Sequence, residues 1–196
     1  MKLLVIIPTY NEVENITRLI PEVFAVIPAD AGILVVDDGS PDGTGKAVKD
    51  IQGRYDGRLS LLERTQKSGL ADAYITGFRW GMERGYDVLC EMDADFSHKP
   101  AYLPAMWEAI QSDDVAIGSR NVRGGSVEGW TFTRNLISKG GSLYSRMVLG
   151  CPVKDLTGGF NMWRKSALDK IGLDTIISKG YSFQIEMKYN EMSTPF

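Results

Sequence analysis

Leu3-Leu-Val-Ile-Ile7, running into Pro8-Thr-Tyr-Asn-Glu12, decides how the rest of the chain is read. A short continuous apolar run of this kind fits a strand buried on both faces, as in a parallel sheet. Proline at position 8 closes the run. From Glu12 to Ile27 the period changes, and Ile16, Leu19, Ile20, Val23, Phe24 and Ile27 fall at helical spacing. The alternation then repeats. Strands are predicted at Ile33–Val36, Leu59–Leu62, Val88–Met92 and Val115–Gly118. Thr44 is placed to cap a helix through Val48 and Ile51. A further helix covers Gly69–Arg84, with Ala71, Ile75, Phe78 and Met82 on one face, and Pro100 opens another. The order β-α-β-α-β-α-β-α-β predicts an α/β fold: a predominantly parallel sheet sandwiched by helices, with right-handed crossovers.

Open sheets of this class bind ligands beyond the carboxyl ends of their strands. Polar segments should therefore follow the strands. Pro8-Thr-Tyr-Asn-Glu12 follows the first, Asp37-Asp-Gly-Ser-Pro-Asp-Gly-Thr44 the second, Asp93-Ala-Asp95 the fourth and Ser119-Arg120 the fifth. Four loops thus bring polar groups to one edge. After Arg120 the pattern changes. Gly124, Gly125 and Gly129 mark a flexible loop, and Thr131–Gly150 is mixed apolar and basic, read as helical, with Arg134, Lys139 and Arg146. Asp155-Leu-Thr-Gly-Gly159 reads as a turn before the apolar segment Phe160–Trp163. Tyr181–Met192 reads as a last helix or mixed segment.

At 196 residues, one domain with a sizeable core is expected. Hydrophobic residues make up 43% and charged residues 24%, ordinary for a globular fold. A net charge of −3 argues against nucleic-acid binding, which needs a strong basic footprint. Cys90 and Cys151 form no CxxC or Cys/His cluster, which argues against zinc and fits a reducing compartment. Cys90 lies in an apolar run and is expected to be a buried small hydrophobe. No stretch approaches the ~20 apolar residues of a membrane span, and Leu3–Ile7 is too short for a signal segment.

Asp93-Ala-Asp95 is the sharpest local signal. Alternate residues at a strand end can aim two carboxylates to one side. Magnesium or manganese takes such oxygen ligands and keeps room for water and substrate phosphates. Alone, the pattern also suits a solvated turn; at the end of an apolar strand beside other polar loops, a metal site is the better reading. Asp37-Asp38 can accept hydrogen bonds from ribose or base, or serve a turn. Tyr10 and Glu12 can cradle a base, or act in packing and as a helix N-terminal charge. Arg120 can meet a phosphate through its planar fork, or be a surface arginine. Gly43-Thr-Gly-Lys46 is no Walker loop, because Ser40 and Ala47 stand where Gly and Ser/Thr are required; the third Gly of GxGxxG is also missing. His98 is the only histidine and is read as structural, and no Ser/His/Asp or Cys/His hydrolase set can be built without it.

These segments together resemble family 2 glycosyltransferases of the GT-A fold, and more narrowly the dolichyl-phosphate (polyprenol monophosphate) mannose synthases. Six segments carry the resemblance: Ile7-Pro-Thr-Tyr-Asn-Glu12, Val36-Asp-Asp-Gly-Ser-Pro-Asp-Gly-Thr44, Met92-Asp-Ala-Asp-Phe-Ser-His98, Gly118-Ser-Arg120, Asp155-Leu-Thr-Gly-Gly-Phe160 and Gly180-Tyr-Ser-Phe-Gln-Ile-Glu-Met187. The resemblance implies that Pro8, Tyr10, Glu12, Val36 and Asp38 hold the nucleoside part of GDP-mannose. Asp93 and Asp95, with Ala94 between them, carry Mg2+ or Mn2+ and the diphosphate. Arg120 lies near the phosphates, while Arg134 and Ser138 receive the acceptor phosphate. In some relatives a Gln at the position of Ser97 joins the metal shell; serine is shorter. The family usually continues with a strand and a loop bearing Arg and Lys. Asn190-Glu-Met-Ser-Thr-Pro-Phe196 does not match that continuation, so residues 1–196 are expected to be a single catalytic domain cut short at its C-terminal end.

The expected reaction is a direct, inverting transfer of mannose to a dolichyl or polyprenyl phosphate. The acceptor oxygen is already anionic, so no strong base is required, in keeping with the absence of a histidine base. A lipid acceptor implies peripheral work at the cytoplasmic face of a membrane. Basic residues between Arg134 and Arg146 are placed to touch anionic headgroups, or equally to form a solvated face. Two alternatives stay open: a family 2 transferase using UDP-glucose with a polyprenyl phosphate or carbohydrate acceptor, and a nucleotide-binding module without catalysis.

Overall fold

The computed structural model describes residues 1–119, 153 and 155–193. Its elements run β1 (Leu3–Thr9), α1 (Val13–Phe24), β2 (Gly32–Asp37), α2 (Thr44–Gln52), β3 (Leu59–Glu63), α3 (Leu70–Glu83), β4 (Val88–Glu91), α4 (Leu103–Ala109), β5 (Val115–Ile117), β6 (Asn161–Arg164), α5 (Lys165–Ile171) and α6 (Tyr181–Ser193). Among the described residues these strands form one sheet in the order β3-β2-β1-β4-β6-β5. Its first four strands are parallel, as the apolar runs predicted.

Both faces of the sheet are covered. Leu3, Val5 and Ile7 of β1 pack with Ile16, Leu19, Ile20 and Val23 of α1, Val48 of α2 and Leu103 and Met106 of α4. Leu4 and Ile6 point the other way, into Tyr74 and Phe78 of α3, Leu168 of α5 and Phe183 and Met187 of α6. This alternation is why Leu3–Ile7 must be apolar at every position. Cys90 is fully buried, as expected. Helix α3 lies close against the sheet: a Cβ on Gly77 would sit 2.5 Å from the Ile6 side chain.

Three expectations need correction. Pro8 does not end β1, which continues through Thr9. Ile6 O accepts from Met92 N, whereas Thr9 O accepts from Asp38 N. Even positions of β1 therefore face β4 and odd positions face β2. The next rung toward β4 would need an N–H from residue 8, which proline lacks. The β2 ladder is untouched, while the chain from Asp93 onward is released from β1. Second, the fifth strand does not extend the parallel sheet beside β4. The apolar segment after the Asp155–Gly159 turn is a strand, β6, inserted between β4 and β5 and antiparallel to both. Third, Thr44 is not the cap of α2. Gly43 holds that position, and Thr44 is the first helical residue.

The predicted helix Thr131–Gly150, with Lys139 and Arg146, lies outside the described residues, as do Gly124, Gly125, Gly129 and Cys151.

Candidate active site

Strand order reverses direction between β1 and β4, because the chain moves from β1 outward to β2 and β3 and then returns through α3 to the other side. Such a switch point leaves a crevice at the carboxyl ends of the strands. Here it is a cleft lined by Pro8, Thr9, Tyr10 and Glu12 after β1, Asp38 after β2, Lys67, Gly69, Leu70 and Ala73 before and within α3, and Asp93, Ala94 and Asp95 after β4. Acidic residues from distant segments, Asp38 and Asp95, thus share one cleft. Gly69, with φ 100° and ψ 163°, turns the chain into α3 through a backbone region open essentially to glycine alone.

The β1–α1 and β2–α2 loops are locked together. Three consecutive N–H groups at the start of α1 find acceptors in the second loop: Asn11 N–H donates to Ser40 Oγ at 3.0 Å, Glu12 N–H to Thr44 Oγ1 at 3.0 Å and Val13 N–H to Asp42 Oδ2 at 3.1 Å. Helix N-termini need such partners. Ser40, Asp42 and Thr44 belong to the Ser-Pro-Asp-Gly-Thr segment, which explains why Thr44 serves α1 rather than capping its own helix. Asp42 also accepts Thr44 N–H and Oγ1–H. Burial raises its carboxyl, but the hydrogen bonds from Thr44 and Val13 outweigh that and leave it below the ordinary aspartate value.

The Asp37-Asp38 pair divides its work. Asp37 is buried and accepts from Thr9 Oγ1 at 2.8 Å, Ser40 Oγ at 2.6 Å and Ser40 N–H at 3.0 Å, so it builds the turn. Asp38 lines the cleft. Arg64 Nε donates to its Oδ1 at 2.6 Å, and the same guanidinium donates through Nη1 to Asp72 Oδ2. Among the described residues Asp38 Oδ2 takes no hydrogen bond. Glu12 accepts from Asn15 Nδ2 at 2.7 Å, and Lys67 Nζ stands 3.9 Å above the Tyr10 ring.

Asp93 is held from several sides. Tyr74 Oη donates to its Oδ1 at 2.8 Å, and Asp93 N–H donates to His98 Nδ1 at 3.0 Å. His98 stacks on Phe160, so its role in fixing the loop agrees with the structural reading of a lone histidine. Burial, then the negative charges of Asp93 and Glu91, push the Tyr74 hydroxyl well above the usual tyrosine value, which keeps it a donor. Asp95 Oδ1 accepts Ser97 N–H at 3.0 Å. Phe96 between them has φ 60°, a strained conformation for a bulky residue. Among the described residues each carboxylate keeps its Oδ2 free of hydrogen bonds. No group of three or more His, Cys, Asp or Glu is close enough to hold a metal ion by itself among the described residues. Two hard oxygen donors without a closed cage suit Mg2+ or Mn2+, which retain water and phosphate ligands.

Of the residues singled out in the sequence, Pro8, Tyr10, Glu12, Asp38, Asp93, Ala94 and Asp95 line this cleft. Val36 does not: its side chain is fully buried among the α3-side core residues. Arg120, Arg134 and Ser138 lie outside the described residues. Sequence reasoning missed Tyr74, Lys67 and Arg64. Tyr74 sits on an apolar helix face that hides its hydroxyl. Arg64 and Lys67 follow β3, whose loop obeys the same strand-end rule as the others and was the available signal.

The chain is 49% identical to an undecaprenyl-phosphate mannosyltransferase of Micrococcus luteus over 189 residues, covering 96% of this chain and 77% of that protein. It is 45% identical to a polyprenol monophosphomannose synthase of Mycolicibacterium smegmatis over 194 residues, covering 98% and 73%. A mannosyltransferase from Pyrobaculum calidifontis, solved with GDP-Man and Mn2+, shares the fold with a TM-score of 0.60 at 20% identity; 87% of this chain covers 46% of that one, less than half its length. The expected GT-A architecture is therefore the one observed. Residues 4–172 match the profile of glycosyl transferase family 2, and the chain belongs to that family.

Proposed function

We infer that residues 1–196 act as one catalytic domain that transfers mannose from GDP-mannose to a polyprenyl phosphate, with inversion at the sugar carbon. The observation that carries this reading is the convergence of Asp38 with Asp93 and Asp95 in one cleft at the strand ends. The relatives named for mannosyl transfer to undecaprenyl phosphate and for polyprenol monophosphomannose synthesis support the substrate pair.

In this reading Pro8, Tyr10, Glu12 and Asp38 receive the nucleoside, and the main chain at Val36 supports them. Asp93 and Asp95 hold a divalent cation. When bound, Mg2+ or Mn2+ offsets the charge that the diphosphate gains as it leaves. Lys67 and the N-terminal turn of α3 add positive potential on the same side of the cleft. Arg120 is assigned to the phosphates, and Arg134 with Ser138 to the acceptor phosphate, on the family resemblance. The nucleophile is a phosphate oxygen, anionic near neutral pH, so the chain's task is to orient two substrates and stabilise charge rather than to abstract a proton. Among the described residues no helix is long and apolar enough to cross a membrane. A lipid acceptor places the reaction at a membrane surface, on the cytoplasmic face where nucleotide sugars are supplied.

The test is transfer of labelled mannose from GDP-mannose to a short polyprenyl phosphate with Mn2+, beside calorimetric titration of GDP-mannose against UDP-glucose. Lipid-linked mannose and preference for the guanine nucleotide are expected. Preference for UDP-glucose would move the chain to another donor class, and tight GDP binding without transfer would make it a binding module.

A further inference from the structure

Two segments of the chain have no part in the donor cleft: the Asp155–Gly159 turn and helix α6 with its Gln184 and Lys188. They meet in a buried polar cluster behind Asp93. Glu91, two residues before Asp93, is fully buried at the end of β4. Its Oε2 accepts from Asn161 Nδ2 at 2.6 Å and Trp163 Nε1 at 3.2 Å, and its Oε1 from Gln184 Nε2 at 2.9 Å. Asn161 Nδ2 also faces Gln184 Oε1 at 2.9 Å and Gly158 O at 3.1 Å. One turn along α6, Lys188 is 2% exposed and donates to the carbonyls of Asp155, Leu156 and Gly158 at 3.0, 3.4 and 2.7 Å.

The cluster reaches Asp93 through the turn. A Cβ on Gly159 would stand 3.7 Å from Gln184 Nε2, 3.8 Å from His98 Cε1 and 4.0 Å from Asp93 Oδ2. The small space beside Gly159 thus lies between Gln184, His98 and the Asp93 carboxylate, and the next residue, Phe160, carries the stacked His98 ring that accepts Asp93 N–H. Apolar residues of similar volume would pack α6 on the sheet at least as well as a buried ammonium and carboxylate. The polar side chains make hydrogen bonds to the two segments that flank Asp93, β4 and the 155–159 turn.

We propose that Gln184 and Lys188 are positioning residues for the divalent cation: through Glu91 and the 155–159 turn they hold the Asp93 carboxylate in its binding orientation. This rests on the reading of Asp93 and Asp95 as the ligands. Groups that orient metal ligands typically change metal affinity by about 10–100-fold when removed.

The experiment uses the full chain and the variants Lys188→Met, Lys188→Arg and Gln184→Met. Thermal melts establish folding, GDP affinity is measured without metal, and Mn2+ affinity is then measured with GDP bound. Lys188→Met and Gln184→Met should keep metal-free GDP affinity within about twofold and lose about 10-fold or more in Mn2+ affinity; Lys188→Arg should recover most of it. Mn2+ affinity within twofold of the parent in either folded variant overturns the proposal. If Lys188→Met does not fold, Gln184→Met carries the same criterion, since it preserves volume and every Lys188 bond. Failure of both to fold makes the cluster a fold determinant and also overturns it. A parent chain that binds GDP but no Mn2+ would instead overturn the metal-site reading on which the proposal stands.

Discussion

The hydroxyl of Tyr74, on the buried face of α3, donates to Asp93 Oδ1 at 2.8 Å. That bond engages Oδ1, while Oδ2 takes no hydrogen bond among the described residues and has His98 Nε2 3.8 Å away. Tyr74→Phe removes the donor with little change in volume and leaves a half-buried acceptor unsatisfied. A stability loss of about 1 kcal/mol is expected from the missing bond. Mn2+ titrations of turnover should shift to higher concentration by about 10-fold. A folded Tyr74→Phe protein with an unchanged Mn2+ requirement would remove Tyr74 from the site.

Arg64 and Asp38 form a nearly buried ion pair, with side-chain exposures of 13% and 7%. Removing one partner strands the other, a change that costs about 3–5 kcal/mol in fully buried pairs. Because both ends retain some solvent, about 3 kcal/mol is expected for Arg64→Leu. Metal-free GDP affinity should fall with it, since Asp38 loses its fixed orientation. Asp72, the exposed second partner, provides the contrast. Asp72→Asn should change stability by less than about 1 kcal/mol and leave GDP binding intact. Equal effects from the two variants would show that Arg64 acts on the surface and not through Asp38.

Asp42 ties the β1–α1 and β2–α2 loops by accepting from Val13 and Thr44. Asp42→Ala should cost about 1 kcal/mol near neutral pH, the usual value of a lost cap. The folded carboxyl lies below its ordinary value. Its contribution is therefore complete above the unfolded aspartate value of ~3.9 and is lost as pH falls through the lower folded value. Stability curves of parent and variant should run parallel above about pH 5 and converge in acid. A gap that stays constant down to the lowest pH at which both fold would assign the effect to packing.

The sheet and the acidic half of the cleft were legible for one reason: parallel strands buried on both faces leave unbroken apolar runs, and polar loops must follow them. Asp93 and Asp95 stand out because they follow directly on the apolar run of the fourth strand. β6 was illegible as a strand because Asn161 interrupts its run, and that asparagine is explicable only once Glu91 lies opposite. Pro8 misled for a related reason. Whether a proline ends a strand depends on which neighbour its missing N–H faces, and strand order is not written in local sequence. Tyr74, Arg64 and Lys188 act through partners 19 to 33 positions away. Their chemistry is set by crossovers rather than by spacing.

Asp95 offers the most direct test of the metal assignment. Its Oδ1 is committed to Ser97 N–H, and its Oδ2 takes no hydrogen bond from the described residues. Asp95→Ala therefore removes a ligand oxygen and also the acceptor that shapes the Phe96 turn. Asp95→Asn separates the two roles, because its amide oxygen still accepts from Ser97 while the charge is gone. Loss of a group that stabilises transition-state charge typically lowers turnover by about 10²–10³-fold. Both variants should show that loss at saturating GDP-mannose, with metal-free GDP affinity held within about twofold, since the residues proposed to receive the nucleoside are untouched. Chelation of divalent ions should abolish transfer by the parent chain, and added Mn2+ or Mg2+ should restore it. A turn-only role predicts the opposite ranking: Asp95→Asn near the parent rate and Asp95→Ala alone impaired.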